Sequence, residues 1–429
     1  MPSMPYQNSL DFARQLDAQD PLRAFRSQFL IPKGPDGQPC TYVCGNSLGL
    51  QPTSARAAVE AEFAAWEEHG VEGHFRGTAW MHYHDTLTEA TARLVGAKPV
   101  EVVVMNSLSV NLHLLLISFY RPTATRYKLL MEGGAFPSDQ YAAASQAKLH
   151  GLNPDEAVVE LVPRPGEHTL RTEDIEAKIQ ELGDSLALVM LGGVNYYTGQ
   201  AFDMAAVTRA GHAVGATVGF DLAHAAGNLL LHLHDWDVDF ACWCTYKYLN
   251  SGPGGTSGVF VHERFANRPD LPRLAGWWGH DPSDRFQMKK EFRPMPGAAG
   301  WQLSNAQVFP MAIHKASLAI FDEAGGMPAL RQKSEQLTGY LEWLLRELNL
   351  PADELEIITP ADPAQRGCQL SLLLRRRGRA LFEHFAARGI MADWREPNVI
   401  RLSPVPLYNS FEDVWRIGQA VAEWGQLPV

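Results

Sequence analysis

Two segments carry residues with a chemistry of their own. One is Thr245-Tyr246-Lys247-Tyr248-Leu249-Asn250-Ser251-Gly252-Pro253-Gly254-Gly255, a strand end running into a glycine-rich turn. The other is Val218-Gly219-Phe220-Asp221-Leu222-Ala223-His224, a short apolar strand that ends on a carboxylate. A lysine amine at such a turn can form a Schiff base with an aldehyde cofactor, and a buried carboxylate can hold a protonated pyridine nitrogen. Lys247 and Asp221 together are the two poles of a pyridoxal phosphate (PLP) site. A lone lysine beside a flexible turn is an ordinary surface residue; the pairing with Asp221 is what points to the cofactor.

Other segments fall into the same crevice if the chain forms an open α/β sheet, whose ligands bind at the carboxyl ends of the strands. Asn106-Ser107-Leu108-Ser109 stands where a strand hands over to a helix N-terminus, and backbone N–H groups and hydroxyls there suit a phosphate. A serine helix cap is expected at the same place. In Glu132-Gly133-Gly134-Ala135-Phe136-Pro137-Ser138-Asp139, Phe136 is placed to stack on a pyridine ring or to join the core, and Asp139 to cap a helix or touch the cofactor. His224 follows Asp221 in the turn that would orient it toward the cofactor. A rival metal reading rests on His82-Tyr83-His84 and His232-Leu233-His234-Asp235; no third ligand stands at a characteristic spacing, so no metal is expected.

The elements that must position these residues are legible from about residue 100. Strand signals at Val102–Met105, Lys128–Glu132, 157–162, 186–191 and 217–220 alternate with helical ones at Leu108–Phe119, 138–149, Thr172–Leu182 (capped by its threonine) and 204–214. Such alternation predicts an α/β fold, a mostly parallel sheet with helices on both faces. After about residue 310 the pattern changes to long helices at 311–324 and 330–348, strands at 356–358, 369–374 and 399–402, and a helix at 379–388. The expected organisation is an N-terminal arm of open attachment over 1–50, a large domain over 51–310 and a smaller α+β domain over 311–429.

With 429 residues, 46% of them hydrophobic and 20% charged, the chain has ample core. The net charge of −11 argues against a nucleic-acid partner. The basic run Arg375-Arg376-Arg377-Gly378-Arg379 reads as a solvated strand end and turn. Five cysteines without framework spacing suit a reducing compartment. The first residues lack a secretory core, and the apolar stretch Leu108 to Tyr120 is too short to span a bilayer. A cytoplasmic protein without membrane attachment is expected.

With those residues laid out, the chain resembles the kynureninases, PLP enzymes of the aspartate aminotransferase fold (fold type I). The resemblance is carried nearly end to end, by Cys44-Gly45-Asn46-Ser47-Leu48-Gly49-Leu50, Gly73-His74-Phe75, Asn106-Ser107-Leu108-Ser109, Phe136-Pro137-Ser138-Asp139, Phe220-Asp221-Leu222-Ala223-His224, the Lys247 turn, Gly276-Trp277-Trp278-Gly279-His280, Gln302-Leu303-Ser304-Asn305 and the Arg401 segment. It implies that Lys247 carries the cofactor and shuttles protons, with Tyr246 beside it, and that Asp221 pairs with the ring nitrogen. Leu108, Ser109, Phe136, Asp139, His224 and Tyr246 would line the cofactor. Trp277 and Asn305 would come from the neighbouring subunit of a homodimer with shared sites. Arg401 would clamp the substrate α-carboxylate, with His74 and Asn305 near the aryl end. The implied reaction is hydrolytic Cβ–Cγ cleavage of L-kynurenine or its 3-hydroxy form, giving anthranilate or 3-hydroxyanthranilate and L-alanine, in tryptophan catabolism. One departure is Leu191-Gly192-Gly193, where relatives can have a serine.

Two alternatives stay open at this point. A PLP lyase or transaminase such as a cysteine desulfurase wants a nucleophilic cysteine on a mobile loop; Cys368 begins an apolar run and reads as a buried structural thiol. A PLP-fold binding module without catalysis would not be expected to keep Asp221, Lys247 and Arg401 together.

Overall fold

The computed structural model describes residues 5–77 and 79–427. Seven strands form the central sheet, in the spatial order Val102–Met105, Ser257–Val261, Phe240–Cys244, Thr217–Asp221, Leu186–Gly192, Lys128–Glu132, Val158–Leu161. Only Ser257–Val261 runs against its neighbours. It does so because it returns from Phe240–Cys244 as a hairpin, and the turn of that hairpin carries Lys247.

Except in the edge strand Val158–Leu161, which is only partly buried, the apolar runs bury both faces, and side chains alternate between them. Val104, Leu130, Val189, Val218, Phe220 and Trp243 join one core, with the helices Asp85–Val95, Thr172–Leu182, Met204–Ala213 and Val308–Glu323. Val103, Leu129, Met131, Leu188, Met190 and Cys242 join the other, with Leu108–Phe119 and Pro137–Leu149. The expected strands and helices are present, most within a residue or two of the expected bounds. Two caps are not as expected. The residue before helix Thr172–Leu182 is Arg171, so the threonine is its first residue and caps nothing. Ser107 holds the cap position of Leu108–Phe119 in extended conformation, yet its side chain makes no capping bond.

The C-terminal body is an antiparallel sheet, Glu356–Ile357, Leu370–Leu373, Val399–Leu402, Asp393–Arg395, under the helices Gly326–Glu347, Gly378–Ala387 and Phe411–Gln426. The N-terminal arm docks on this body. Phe12 and Ala13 of helix Leu10–Gln19 enter its core, and Thr41–Tyr42 pairs in parallel with Ile390–Met391. Helix Val308–Glu323 lies mostly beyond the expected boundary at 310, but Met311, Leu318 and Phe321 pack in the core of the large sheet. The C-terminal core takes over within Gly326–Glu347, from Leu337 onward. In the basic run, Arg375, Arg376 and Arg377 pair with Glu356, Asp353 and Glu354. That strand end is ion-paired rather than simply solvated. No helix among the described residues is long and apolar enough to cross a membrane.

Candidate active site

All the parallel strands end at one edge of the sheet. The chain leaves that edge at Asn106–Ser109, Glu132–Asp139, Gly192–Val194, Asp221–His224 and the Lys247 turn. A cavity of about 180 Å³ opens there, lined by Leu108, Ser109, Phe136, Asp139, Asp221, His224, Tyr246 and Lys247. Each of these eight was expected at a cofactor, and the topology brings them together.

The Lys247 turn is braced from outside. Gly49 N–H donates to Tyr246 O at 2.9 Å, and a Cβ on Gly49 would stand 2.2 Å from Lys247 O. Glycine is therefore required for this approach of the arm to the turn. Asn250 closes the turn with φ of 52°, a left-handed conformation that asparagine tolerates. Lys247 Nζ lies 3.0 Å from His224 Nε2 and 5.9 Å from the Phe136 ring centre. Burial, and then the Lys247 charge, hold the His224 pKa well below its ordinary value. A neutral His224 accepts from Lys247 through Nε2, which assigns the ring proton to Nδ1. Nδ1 is buried and has no partner among the described residues.

Asp221 is 6% exposed and accepts from Ala223 N–H at 2.8 Å. Its carboxyl is hydrogen-bonded to that of Asp139. Burial, and then the neighbouring Asp221 carboxylate, push Asp139 well above the usual carboxylate range. Of the two, Asp139 is the carboxyl pushed up further, while the contact with Asp139 and the Ala223 N–H favour the ionised form of Asp221. Phe136 is not core: it is 42% exposed and meets Tyr196 edge-on at 5.2 Å. Burial raises the Tyr246 hydroxyl pKa, and Cys244 raises it further.

Glu132, to which the sequence reading assigns no role, ends an apolar strand at the same edge as Asp221 does, and that position is its signal in the sequence. It lines the same cavity, and its two oxygens both accept from Gly192 N–H at 3.2 Å. Burial pushes its pKa up to about 7. A Cβ at Gly192 would come 2.9 Å from Glu132 Oε1, a physical reason for glycine at that position.

Arg401 is 1% exposed and lies outside the cavity lining, joined to it through Tyr196, whose carbonyl accepts from Nη1 at 2.8 Å. Nη2 donates to Asp393 at 2.6 Å and to Ser47 at 3.0 Å. The remaining three expected residues stand apart in this chain. Trp277 is 41% exposed and donates to Arg285 O, Asn305 is exposed, and His74 packs edge-on against Trp80.

Cys368 is buried, and burial pushes its thiol up to about 12, the setting of a structural rather than a nucleophilic cysteine. Of the histidine pairs, His82 and His84 both face Asp85. His234 meets Glu101 and His262, which sequence spacing could not reveal. There Glu101 Oε1 already accepts from Glu263 N–H and His234, and His262 Nδ1 accepts from Arg264 N–H.

Residues 51–368 match the aminotransferase class-V family and residues 330–421 the kynureninase C-terminal domain. The chain is 59% identical to a kynureninase of Myxococcus xanthus over 96% of both chains. It is 56% identical to one of Koribacter versatilis over 98% of both. The chain belongs to the kynureninase family. Among solved structures it resembles a cysteine desulfurase from Thermococcus onnurineus (TM-score 0.74, 16% identity, 99% of both chains). A second, from Escherichia coli, superposes with TM-score 0.75 at 18% identity, over 95% of this chain and 99% of that one. These two likenesses speak for the fold alone.

The residues present fit the PLP on which this kynureninase fold depends. The Lys247 amine, the Asp221 carboxyl beside Asp139 and the uncapped N-terminus of a twelve-residue helix converge on one cavity. Each answers a different part of an aldehyde-bearing, ring-nitrogen, phosphorylated ligand.

Proposed function

We propose that the protein hydrolyses the Cβ–Cγ bond of L-kynurenine or its 3-hydroxy form, giving anthranilate or 3-hydroxyanthranilate and L-alanine, in tryptophan catabolism. The observation that carries this reading is Lys247 Nζ standing between His224 and Phe136, in the cavity of the Asp221–Asp139 pair, in a chain that belongs to the kynureninases. When bound, PLP supplies an electron sink for the pair of electrons left at the substrate Cα. The chain's own residues do the rest. Lys247 holds the cofactor and then moves the Cα proton. Asp221, whose ionised form the neighbouring Asp139 favours, holds the ring-nitrogen proton. Ser109 and the amides at the start of helix Leu108–Phe119 hold the phosphate. Tyr246, kept protonated by burial, stands beside the lysine as a proton donor. Arg401 holds the α-carboxylate. Water adds to the aryl ketone, the Cβ–Cγ bond breaks, the oxygen ends in the aryl carboxylate and a proton ends on the alanine methyl.

The working unit of this reading is a homodimer. Phe75 is 66%, Phe286 55% and Met288 69% exposed, and Phe286 lies 5.4 Å from the Trp277 ring and 6.5 Å from that of Phe75. Such a contiguous aromatic patch supports an interface. A partner covering it would receive Trp277, Asn305 and His74 at its own cavity. The test is anthranilate release from L-kynurenine, with the 3-hydroxy form assayed alongside. Turnover by the wild-type protein and none by Lys247→Ala is expected; a wild-type protein that cleaves neither substrate overturns the reading.

A further inference from the structure

Arg401 is not alone beside the cavity. Asp393 is its register partner on the adjacent strand and accepts from Arg401 Nη2 at 2.6 Å. Arg395, on the same strand as Asp393, holds Nη2 3.3 Å from Asp393 Oδ2 and Nε 3.2 Å from Asp393 Oδ1. Ser47 Oγ donates to Asp393 and accepts from Arg401 at 3.0 Å and from Arg395 at 3.4 Å. Two guanidinium groups thus share one carboxylate, and the cluster keeps one net positive charge. Arg401 is 1% and Asp393 11% exposed at the side chain, whereas Arg395 is 36% exposed and has room to move.

A carboxylate that binds a guanidinium through two parallel N–H groups must use Nη2, because both forks of the group include it. Here Nη2 is taken by Asp393 and Ser47, which are bonded to each other. An incoming α-carboxylate therefore meets a second carboxylate at the place it must occupy, and like charges in a buried site repel strongly. Given the carboxylate role of Arg401 in the reading above, we propose that Arg395 is a positioning residue that takes Asp393 off Arg401 as the substrate carboxylate arrives. Its Nη2 already donates to Asp393 Oδ2, and its Nε, without a hydrogen-bond partner among the described residues, stands 3.2 Å from Oδ1, so a small rotation completes the exchange. After it, each guanidinium holds one carboxylate and the cluster is neutral.

The test uses the PLP-loaded protein and two readouts: steady-state KM and kcat on L-kynurenine, and the Kd of L-alanine followed by cofactor absorbance. Arg395→Gln should raise both KM and Kd by about tenfold or more, the equivalent of one charge-assisted bond, while kcat holds. Asp393→Asn alone should leave Kd unchanged or lower it. Adding Asp393→Asn to Arg395→Gln should return Kd toward wild type, since the blocking charge is gone. Unchanged KM and Kd in Arg395→Gln, or a double variant no better than Arg395→Gln, overturns the proposal. So does a Kd raised by Asp393→Asn alone, which would make Asp393 a brace for Arg401. Should the wild-type protein not cleave L-kynurenine, the functional reading fails separately, and the L-alanine titration still decides the role of Arg395.

Discussion

Arg401→Lys separates two roles that the structure superimposes, a carboxylate clamp and an internal ion pair with Asp393. Lysine keeps the positive charge but presents one point donor in place of a planar fork. Against a substrate carboxylate the loss is one charge-assisted hydrogen bond, about 1.5–3 kcal/mol. If the clamp role holds, KM for L-kynurenine should rise roughly 10- to 150-fold at 1.4 kcal/mol per decade. Within the protein, the Tyr196 carbonyl loses the donor that now reaches it at 2.8 Å, and Ser47 the one at 3.0 Å. An unsatisfied buried acceptor costs about 1–3 kcal/mol, so the melting temperature should fall as well. The assay is initial rates of anthranilate formation over a wide substrate range, with a thermal scan and a cofactor spectrum on the same preparation. The resting spectrum should persist, because Lys247 and the cavity lining are untouched. A variant with unchanged KM and only a lower melting temperature would refute the clamp and leave Arg401 as a strut between Tyr196 and Asp393.

Borohydride reduction of the loaded protein should leave a pyridoxyl group on the Lys247 peptide, read by mass spectrometry; a label on another lysine would reassign the cofactor. Glu132 titrates near 7 when folded against an ordinary 4.5, so the native state binds its proton more tightly than the unfolded chain does. Stability from this group is present below about pH 4.5 and is lost as pH rises toward 7, by about 3 kcal/mol in all. Unfolding midpoints measured at pH 5 and pH 8 should therefore fall more for wild type than for Glu132→Gln, and parallel falls would remove Glu132 from this role. Mixing inactive Lys247→Ala protein with inactive Asn305→Ala protein should restore activity through hybrid dimers; full activity in a strictly monomeric sample would count against shared sites.

The sequence by itself determines whatever a local pattern encodes. Val102–Met105, Lys128–Glu132 and Thr217–Asp221 announce themselves as short apolar runs, because a strand buried on both faces has no polar alternation to keep. Lys247 and Asp221 were legible for a related reason: each stands at a strand end, and an open parallel sheet gathers such ends at one edge. Beyond that edge the local pattern is silent. Helical periodicity marks a buried face of Val308–Glu323 without saying which body it is buried against, and here it is the large sheet. Asp139 was readable as a helix cap or a cofactor contact. Its side-chain contact with Asp221 exists only because two crossovers bring helix Pro137–Leu149 and strand Thr217–Asp221 to one edge. The partnership of Asp393 with Arg401 is likewise a matter of strand register, and Ser47 reaches both only after the N-terminal arm has docked on the C-terminal body. Charge and hydrogen-bond energies depend on separations of a few ångströms between residues far apart in the chain, and only the packed tertiary structure sets those separations.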